Sequence, residues 1–502
     1  MDSSALKSAL FRQVDSSSLV AFRVAFGAIM LWEVKRYLVL GRVARYWIEP
    51  SFHFTYPFFG WVHPWSGDGM YLHFYVLGVL AAFIAFGFLY RLSAFLFFLA
   101  FSYVFLLEEA QYLNHFYLIV LISFLMIWVP AHRSMSIDAR LRPRLRSETV
   151  PAWAVALLAG QIGVVYLLGG IAKIGPDWLR GEPMRAWLAA RDDFPLIGAF
   201  FTTEWMVYLM SYGGMLIDLA ALPLLVMRRT RAFMFGALVL FHLMNAGLFS
   251  IGIFPWFMIA ATTLFFRPDW PRRLLEDLWI DPNRRGSIAW LGAVVCAVLA
   301  VWLNEALELI PALIGAIAGA LLFWQVAQPS ERQRGFSLRA LGWTGMGITE
   351  KRVMVLLTIW FAVQVTVPLR HFFIPGYVSW TEEGHKFAWH MKLRDKDATT
   401  RFIVYDGADG RSWEIDAENI LTRRQYTKMS ARPYMIHRFA RFLAETLAAN
   451  GYPKAEVRVD AMASLNGRAY QRLVDPKVDL GHTPVSIRHA AWIVPLTEPL
   501  KD

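Results

Sequence analysis

The sequence predicts a polytopic α-helical membrane protein of about 8–11 transmembrane helices with a C-terminal extramembrane β-rich (α+β) domain. Three observations predict it. Of 502 residues, 57% are hydrophobic and only 18% charged, with 21 Trp and 38 Phe, which is more apolar surface than a soluble chain needs. The apolar residues gather into runs close to the ~20 residues that cross a hydrocarbon core. Beyond residue 370 the runs stop and short apolar/polar alternation replaces them.

The runs lie near 19–40, 71–90, 92–108, 113–130, 151–172, 205–227, 232–246, 248–266, 287–304, 309–327 and 353–370. Much of the net charge of +11 sits in short stretches between them, at Arg133, Arg140, Arg142, Arg144 and Arg146, at Arg228, Arg229 and Arg231, and at Arg272, Arg273, Arg284 and Arg285. Basic loops orient a membrane protein, so the charge does not call for nucleic acid. With the N-terminus inside, the inner loops are 91, 131–150, 228–231, 267–286 and 328–352, and all five carry Arg. A one-span error would scramble that alternation. The expectation is therefore a cytoplasmic N-terminus, a first span retained as a signal anchor, and an outer C-terminal domain. The single cysteine, Cys296, excludes an intrachain disulfide.

Two units follow, 1–370 in the membrane and 371–502 outside it. In the outer unit HKFAWHMKL, TRFIVYDG and AEVRVDAMASL alternate with period two and are flanked by DG and NG turns, so they read as strands. The stretch from Pro433 to Asn450 reads as one amphipathic helix.

Ionisable and polar side chains inside a membrane are costly and mark function. Three clusters stand near the outer ends of spans: Asn114 and His115 in QYLNHFYL, Lys173 in YLLGGIAKIGPDW, and His242 and Asn245 in FHLMNAGLFSIGIFPW. Gly169 and Gly170 let a neighbouring backbone approach just before Lys173. A lysine removed from water loses its proton more easily and becomes a base. Lys173, at the outer end of its span, reads either as such a base or as a lysine snorkelling to the interface rather than as core packing, and the Pro176-Asp177-Trp178 that follows favours a fixed loop over a free end.

The strings LNHFYL, GGIAKIGPDWLRGEPM, FHLMNAGLFSIGIF, PGYVSWTEEGHKFAWHM and RAYQRLVDPKVDL occur in this order between residues 112 and 480. Through them the chain resembles the vitamin K-dependent gamma-glutamyl carboxylase family, whose membrane part belongs to the horizontally transferred transmembrane domain group. A membrane-only relative would match the first three strings alone. The resemblance implies that vitamin K hydroquinone is oxygenated by O2 to its epoxide, that the strong base formed on the way takes a γ-hydrogen from peptide glutamate, and that CO2 traps the carbanion. It implies no metal. Lys173 would deprotonate the hydroquinone, with Asn114 and His115 as donors to its oxyanion. His242, Asn245, Trp178 and Met391 would contact the quinone, and Tyr377, Trp380, His385 and Trp389 would hold the glutamate substrate. The implied partners are the lipid bilayer, a glutamate-containing peptide or protein and the quinone; the implied location is a bacterial inner membrane with the C-terminal domain periplasmic.

The chain departs from the animal pattern. It has Ala172-Lys173 where animal members have two lysines, His385 where they have tyrosine, and no cysteine pair. The alternatives are a quinol epoxidase that does not carboxylate protein and a non-enzymatic membrane transporter. A transporter usually places its charges near the midplane between repeated halves, and no repeat stands out.

Overall fold

The computed structural model describes residues 3–249, 251–280, 284–303, 309–327, 348–407, 409–486 and 488–500. Each apolar run contains a helix: α1 Ser17–Val39, α2 Gly69–Phe86, α3 Tyr90–Leu107, α4 Asn114–Trp128, α5 Ala152–Ala172, α6 Glu204–Val226, α7 Arg231–Leu248, α8 Phe254–Thr262, α9 Arg284–Leu303, α10 Leu309–Ala327 and α11 Ile348–Leu369. Seven of the described helices are long and apolar enough to cross a membrane, and four shorter apolar stretches accompany them. The four shorter ones fall below the length of a full span. Backbone punctuation is one reason: α4 stops at Val129 before Pro130, and the FHLMNAGLFSIGIF stretch breaks at Gly252, whose φ is +63°.

Glycine sets the closest helix approach in the region of interest. A Cβ on Gly170 would lie 2.8 Å from the backbone nitrogen of Leu219, so α5 and α6 touch almost backbone to backbone. One residue earlier, a Cβ on Gly169 would lie 3.1 Å from the Met391 methyl, in the outer domain, and 3.7 Å from Asp218 Oδ2 of α6.

The C-terminal domain, outer only in the sense that it lies beyond the membrane helices in the chain, is α+β. Its antiparallel sheet contains β3 Lys396–Asp406, β4 Ser412–Ile415, β5 Ala455–Leu465 and β6 Gln471–Arg472, in the order β4-β3-β5-β6; β1 Gln13–Asp15 and β2 Thr149–Pro151 pair separately. The hairpin from β5 turns at Asn466-Gly467, both with positive φ, as a tight turn with the sheet's twist requires. Helix α12, Pro433–Ala449, turns Met435, Ile436, Phe439, Ala440, Leu443 and Ala444 toward a core that includes Val457, Val459 and Ala461 of β5. Two of the three expected strands form. The third, HKFAWHMKL, does not. Phe387, Trp389 and Lys392 have φ between +51° and +60°, a left-handed backbone that breaks a ladder. The segment bonds instead to the membrane unit: Phe387 N donates to the Tyr112 hydroxyl at 2.8 Å, and Asn114 Nδ2 donates to His390 O at 2.9 Å.

The two units share a core and several ion pairs. Phe52 and Phe54, from the segment between α1 and α2, pack on Phe439 and Phe442 of α12. Between α3 and α4, fully buried Glu109 pairs with Lys386 and Arg438. Asp177 receives both terminal nitrogens of Arg468 at 2.8 and 2.6 Å, and Asn466 Nδ2 at 2.7 Å.

Gly170→Val should separate α5 from α6. Overpacking of this kind typically costs about 1–3 kcal/mol, so thermal unfolding in detergent should shift down by several degrees. Gly175→Ala, where a Cβ meets nothing within 4 Å, should leave the transition unchanged.

Candidate active site

Lys173 follows the last residue of α5 and points inward rather than snorkelling outward. Its Nζ forms a buried ion pair with Asp218 Oδ2 and lies 3.5 Å from Gly169 O and 5.6 Å from the centre of the Trp178 ring. Lys173 is 6% exposed and Asp218 4%. Lys173 is thus part of the packing, contrary to the expectation for an outer-end lysine. A lone ammonium would be expensive here, and a carboxylate on the neighbouring helix offsets that cost. Trp178 is locked in turn: its Nε1 donates to Ser211 O at 2.8 Å, and Ser211 Oγ donates to Trp178 O at 2.8 Å.

The pair borders a cavity of about 310 Å³ between α5, α6 and α7. Trp178, Met184 and Trp187 line it from the segment after α5; His242, Asn245 and Phe249 from α7 and its end; Met391 and Lys392 from the outer domain. The Lys392 ammonium stands over Trp187 at 4.8 Å and over Phe249 at 4.6 Å. His242 Nε2 meets the Tyr166 hydroxyl at 2.7 Å, and that hydroxyl meets Thr262 Oγ1 at 3.2 Å.

Five of the residues singled out from sequence, Lys173, Trp178, His242, Asn245 and Met391, therefore share one cavity. The other six are not in its wall. Asn114 spends one amide hydrogen on His390 O and accepts from the Tyr112 hydroxyl at 2.9 Å, which fastens the outer segment to α4. His115 packs against Phe116 and against Phe254; Phe254 also contacts His242 and lines the cavity, so it stands between the two histidines. Trp389 packs on Tyr117 with the rings tilted at 32° and their centres 5.1 Å apart, and its carbonyl lies 3.9 Å from a Cβ placed on Gly169. Trp380 is wholly buried in the outer core and donates to Val494 O at 2.7 Å. Tyr377 stands beside Asp177, which with burial raises its hydroxyl to about 12. His385 packs edge-on to His390 at 5.1 Å.

Asp218 and Tyr166 escaped the sequence reading. Asp218 had a usable signal, as an ionisable residue in the middle of an apolar run. Tyr166 had none, because a tyrosine in a span looks like any aromatic.

A basic cluster lies in the outer domain around Trp380 and the 385–396 segment. Burial, then neighbouring Arg394 and His390, hold His385 well below its ordinary value, and burial holds His390 at about 3. Lys396 donates to Trp380 O at 2.5 Å; burial brings it down to about 7, with Glu382 opposing and Arg394 and Arg432 adding.

Residues 11–270, which hold the membrane helices α1 to α8, match the HTTM domain, so the chain is an integral membrane protein of that class. Residues 349–499 match the lumenal domain of vitamin K-dependent gamma-carboxylase. The chain belongs to the vitamin K-dependent gamma-glutamyl carboxylase family. No solved structure matches it.

The Lys396 environment makes a pH prediction. The unfolded chain keeps this lysine protonated to about 10.5 and the folded chain only to about 7. Between those values the unfolded state binds more protons, so stability rises with pH, by at most about 1.4 kcal/mol per pH unit from this group. Below pH 7 the penalty is fully present. The unfolding temperature should climb between pH 7 and 9, and Lys396→Met should flatten that slope.

Proposed function

We propose that this chain carboxylates the γ-carbon of peptide glutamate in a reaction coupled to oxygenation of vitamin K hydroquinone. The observation that carries the proposal is the cavity itself, which has Lys173 and Asp218 on one wall and Met391 and Lys392 of the outer domain on another. Its apolar, Trp- and Met-rich lining and its volume of about 310 Å³ suit a fused aromatic ring with few polar atoms. Leu209 of α6 and Leu240 of α7 border it and are 55% and 59% exposed on the helix surface. A Cβ on Gly213 would meet nothing within 4 Å. This gap between α6 and α7 supports lateral entry from lipid and an exit for a quinone tail.

Lys173 is the group that takes the hydroquinone proton. Paired with Asp218 in a dry site, it need not lose a proton to solvent first: the one proton of the pair can rest on the carboxylate and leave a neutral amine. The hydroquinone, oxygenated by O2, would supply the strong base that removes the γ-hydrogen, and CO2 would add to the carbanion this leaves. Trp178, Trp187 and the segment from 387 to 392 exclude water from that base. The two units fall at 1–370 and 371–502, and the outer one faces the periplasm of a bacterial inner membrane. A reporter fused to the C-terminus should be active on the outer side; activity only in the cytoplasm would reverse the orientation.

A second reading, quinol oxygenation without protein carboxylation, draws on the finding that Tyr377, Trp380 and His385 lie outside the cavity wall. Labelled CO2 incorporation into a glutamate peptide, measured beside epoxide formation, separates the two readings.

Lys173→Ala should lower both products by about 10²–10⁴-fold, the usual loss for a general base. It also leaves Asp218 buried without its partner, so it should express less stably. Lys173→Arg is the cleaner variant, because it keeps the charge pair but holds its proton. It should be as inactive as alanine, and wild-type epoxide formation by Lys173→Arg would exclude the base role. His115→Ala, behind Phe254, should be milder than either.

A further inference from the structure

His242 is 1% exposed, and its Nδ1 has no hydrogen-bond partner among the described residues. Its other nitrogen is committed to Tyr166, so Nδ1 is what the ring has left to offer an occupant of the cavity it lines. Whether that nitrogen donates or accepts follows from the hydrogen bonds behind it. Thr262 Oγ1 lies 2.7 Å from Met258 O, one turn back in α8, and 3.2 Å from the Tyr166 hydroxyl. A hydroxyl has one hydrogen, and the shorter contact, to an oxygen that can only accept, takes it. The Tyr166 hydrogen then goes to Thr262, and the Tyr166 oxygen accepts from His242 Nε2–H. In the uncharged ring this leaves Nδ1 as a bare lone pair.

A lone pair in an apolar cavity discriminates by redox state. A hydroquinone presents O–H donors, whereas the quinone and its epoxide present only carbonyl acceptors at the same ring positions. The first satisfies Nδ1. The others set an oxygen lone pair against a nitrogen lone pair and leave both unpaired, a penalty larger than the gain from an ordinary hydrogen bond. We propose that His242 Nδ1 accepts a hydroxyl hydrogen of the bound hydroquinone, and that Tyr166 and Thr262, as positioning residues, hold the tautomer that makes the cavity prefer the reduced ligand over the oxidised one. The proposal rests on the reading of this cavity as a quinol site and deepens it. It also gives the oxidised product a reason to leave.

The test is equilibrium binding to the full-length chain in detergent without O2, so that no turnover occurs, with 2-methyl-1,4-naphthohydroquinone and 2-methyl-1,4-naphthoquinone as probes. The wild type should bind the hydroquinone at least about tenfold more tightly than the quinone. Thr262→Val removes the acceptor of the Tyr166 hydrogen, freeing Tyr166 to donate to Nε2 and moving the ring proton to Nδ1; the preference should fall to unity or invert. Tyr166→Phe should abolish the preference while the quinone still binds. Because the readout is a ratio of two affinities, a general loosening of the cavity does not imitate it. Equal affinities in the wild type, or an unchanged ratio in both variants, would overturn the proposal. Binding of neither probe would overturn the quinol reading with it. A clear preference without labelled CO2 incorporation would uphold the proposal and discard carboxylation alone.

Discussion

A charge inside an apolar helical unit cannot stand by itself, and the Lys173–Asp218 pair is where this chain meets that constraint. The lysine is carried by the end of α5 and the aspartate by α6, so the two helices must be close. Gly170 is what allows it, since any side chain there would strike Leu219. The pair in turn fixes the wall of the cavity, because Trp178 stacks over the ammonium and is tied by two hydrogen bonds to Ser211 of the same α6. Breaking one member of such a buried pair typically costs about 3–5 kcal/mol, although the intact pair contributes little net stability. A group that is expensive to keep and expensive to disturb is a poor choice for stability alone. It is a reasonable choice for a proton carrier.

The outer domain is joined to the membrane unit on the same logic. Asp177, four residues after Lys173, is held by Arg468 and Asn466 at the tip of the β5–β6 hairpin. Glu109, two residues past the end of α3, is held by Lys386 and Arg438. Both carboxylates flank sequence that was singled out for chemistry. The charges that join the domains therefore also set the position of Lys173 and of the Asn114 segment. Phe52 and Phe54 complete the outer core from the membrane side, which explains why the two units share a core although their sequence patterns differ.

Periodicity made most of the fold legible. The AEVRVDAMASL alternation became β5 without a shift, and the amphipathic run after Pro433 became α12 ending before Asn450. Helix ends were less secure where glycine and proline interrupt short runs, as around Gly252. The misreading of HKFAWHMKL has a specific cause. Its alternation of aromatic and polar residues is genuine, but it serves two surfaces of a left-handed, turn-rich segment rather than two faces of a sheet. In the site, the rule that intramembrane polar residues matter located Lys173, His242 and Asn245. It was applied to span ends and passed over Asp218 in the middle of one. Tyr166 and Thr262 become visible only when the hydrogen bonds are drawn, since nothing in their sequence neighbourhood distinguishes them from packing.

That irregular segment explains how the outer domain contributes apolar surface to the wall of the cavity. A strand from residue 385 to 393 would have extended the sheet and left the outer end of α4 and α5 bare. With left-handed residues at Phe387, Trp389 and Lys392, the backbone folds back on itself. Trp389 goes to Tyr117, Met391 to Gly169 and the cavity, and the Lys392 ammonium to the faces of Trp187 and Phe249. Each is an apolar or cation–π contact that needs no water. The backbone hydrogen bonds a strand would have used are partly replaced by Tyr112 and Asn114. Asn114 fastens this segment to α4 through its hydrogen bond to His390 O. The result is a cavity wall to which Met391 and Lys392 contribute opposite the buried lysine's helix, held by polar contacts at its edge and by aromatic contacts beside them.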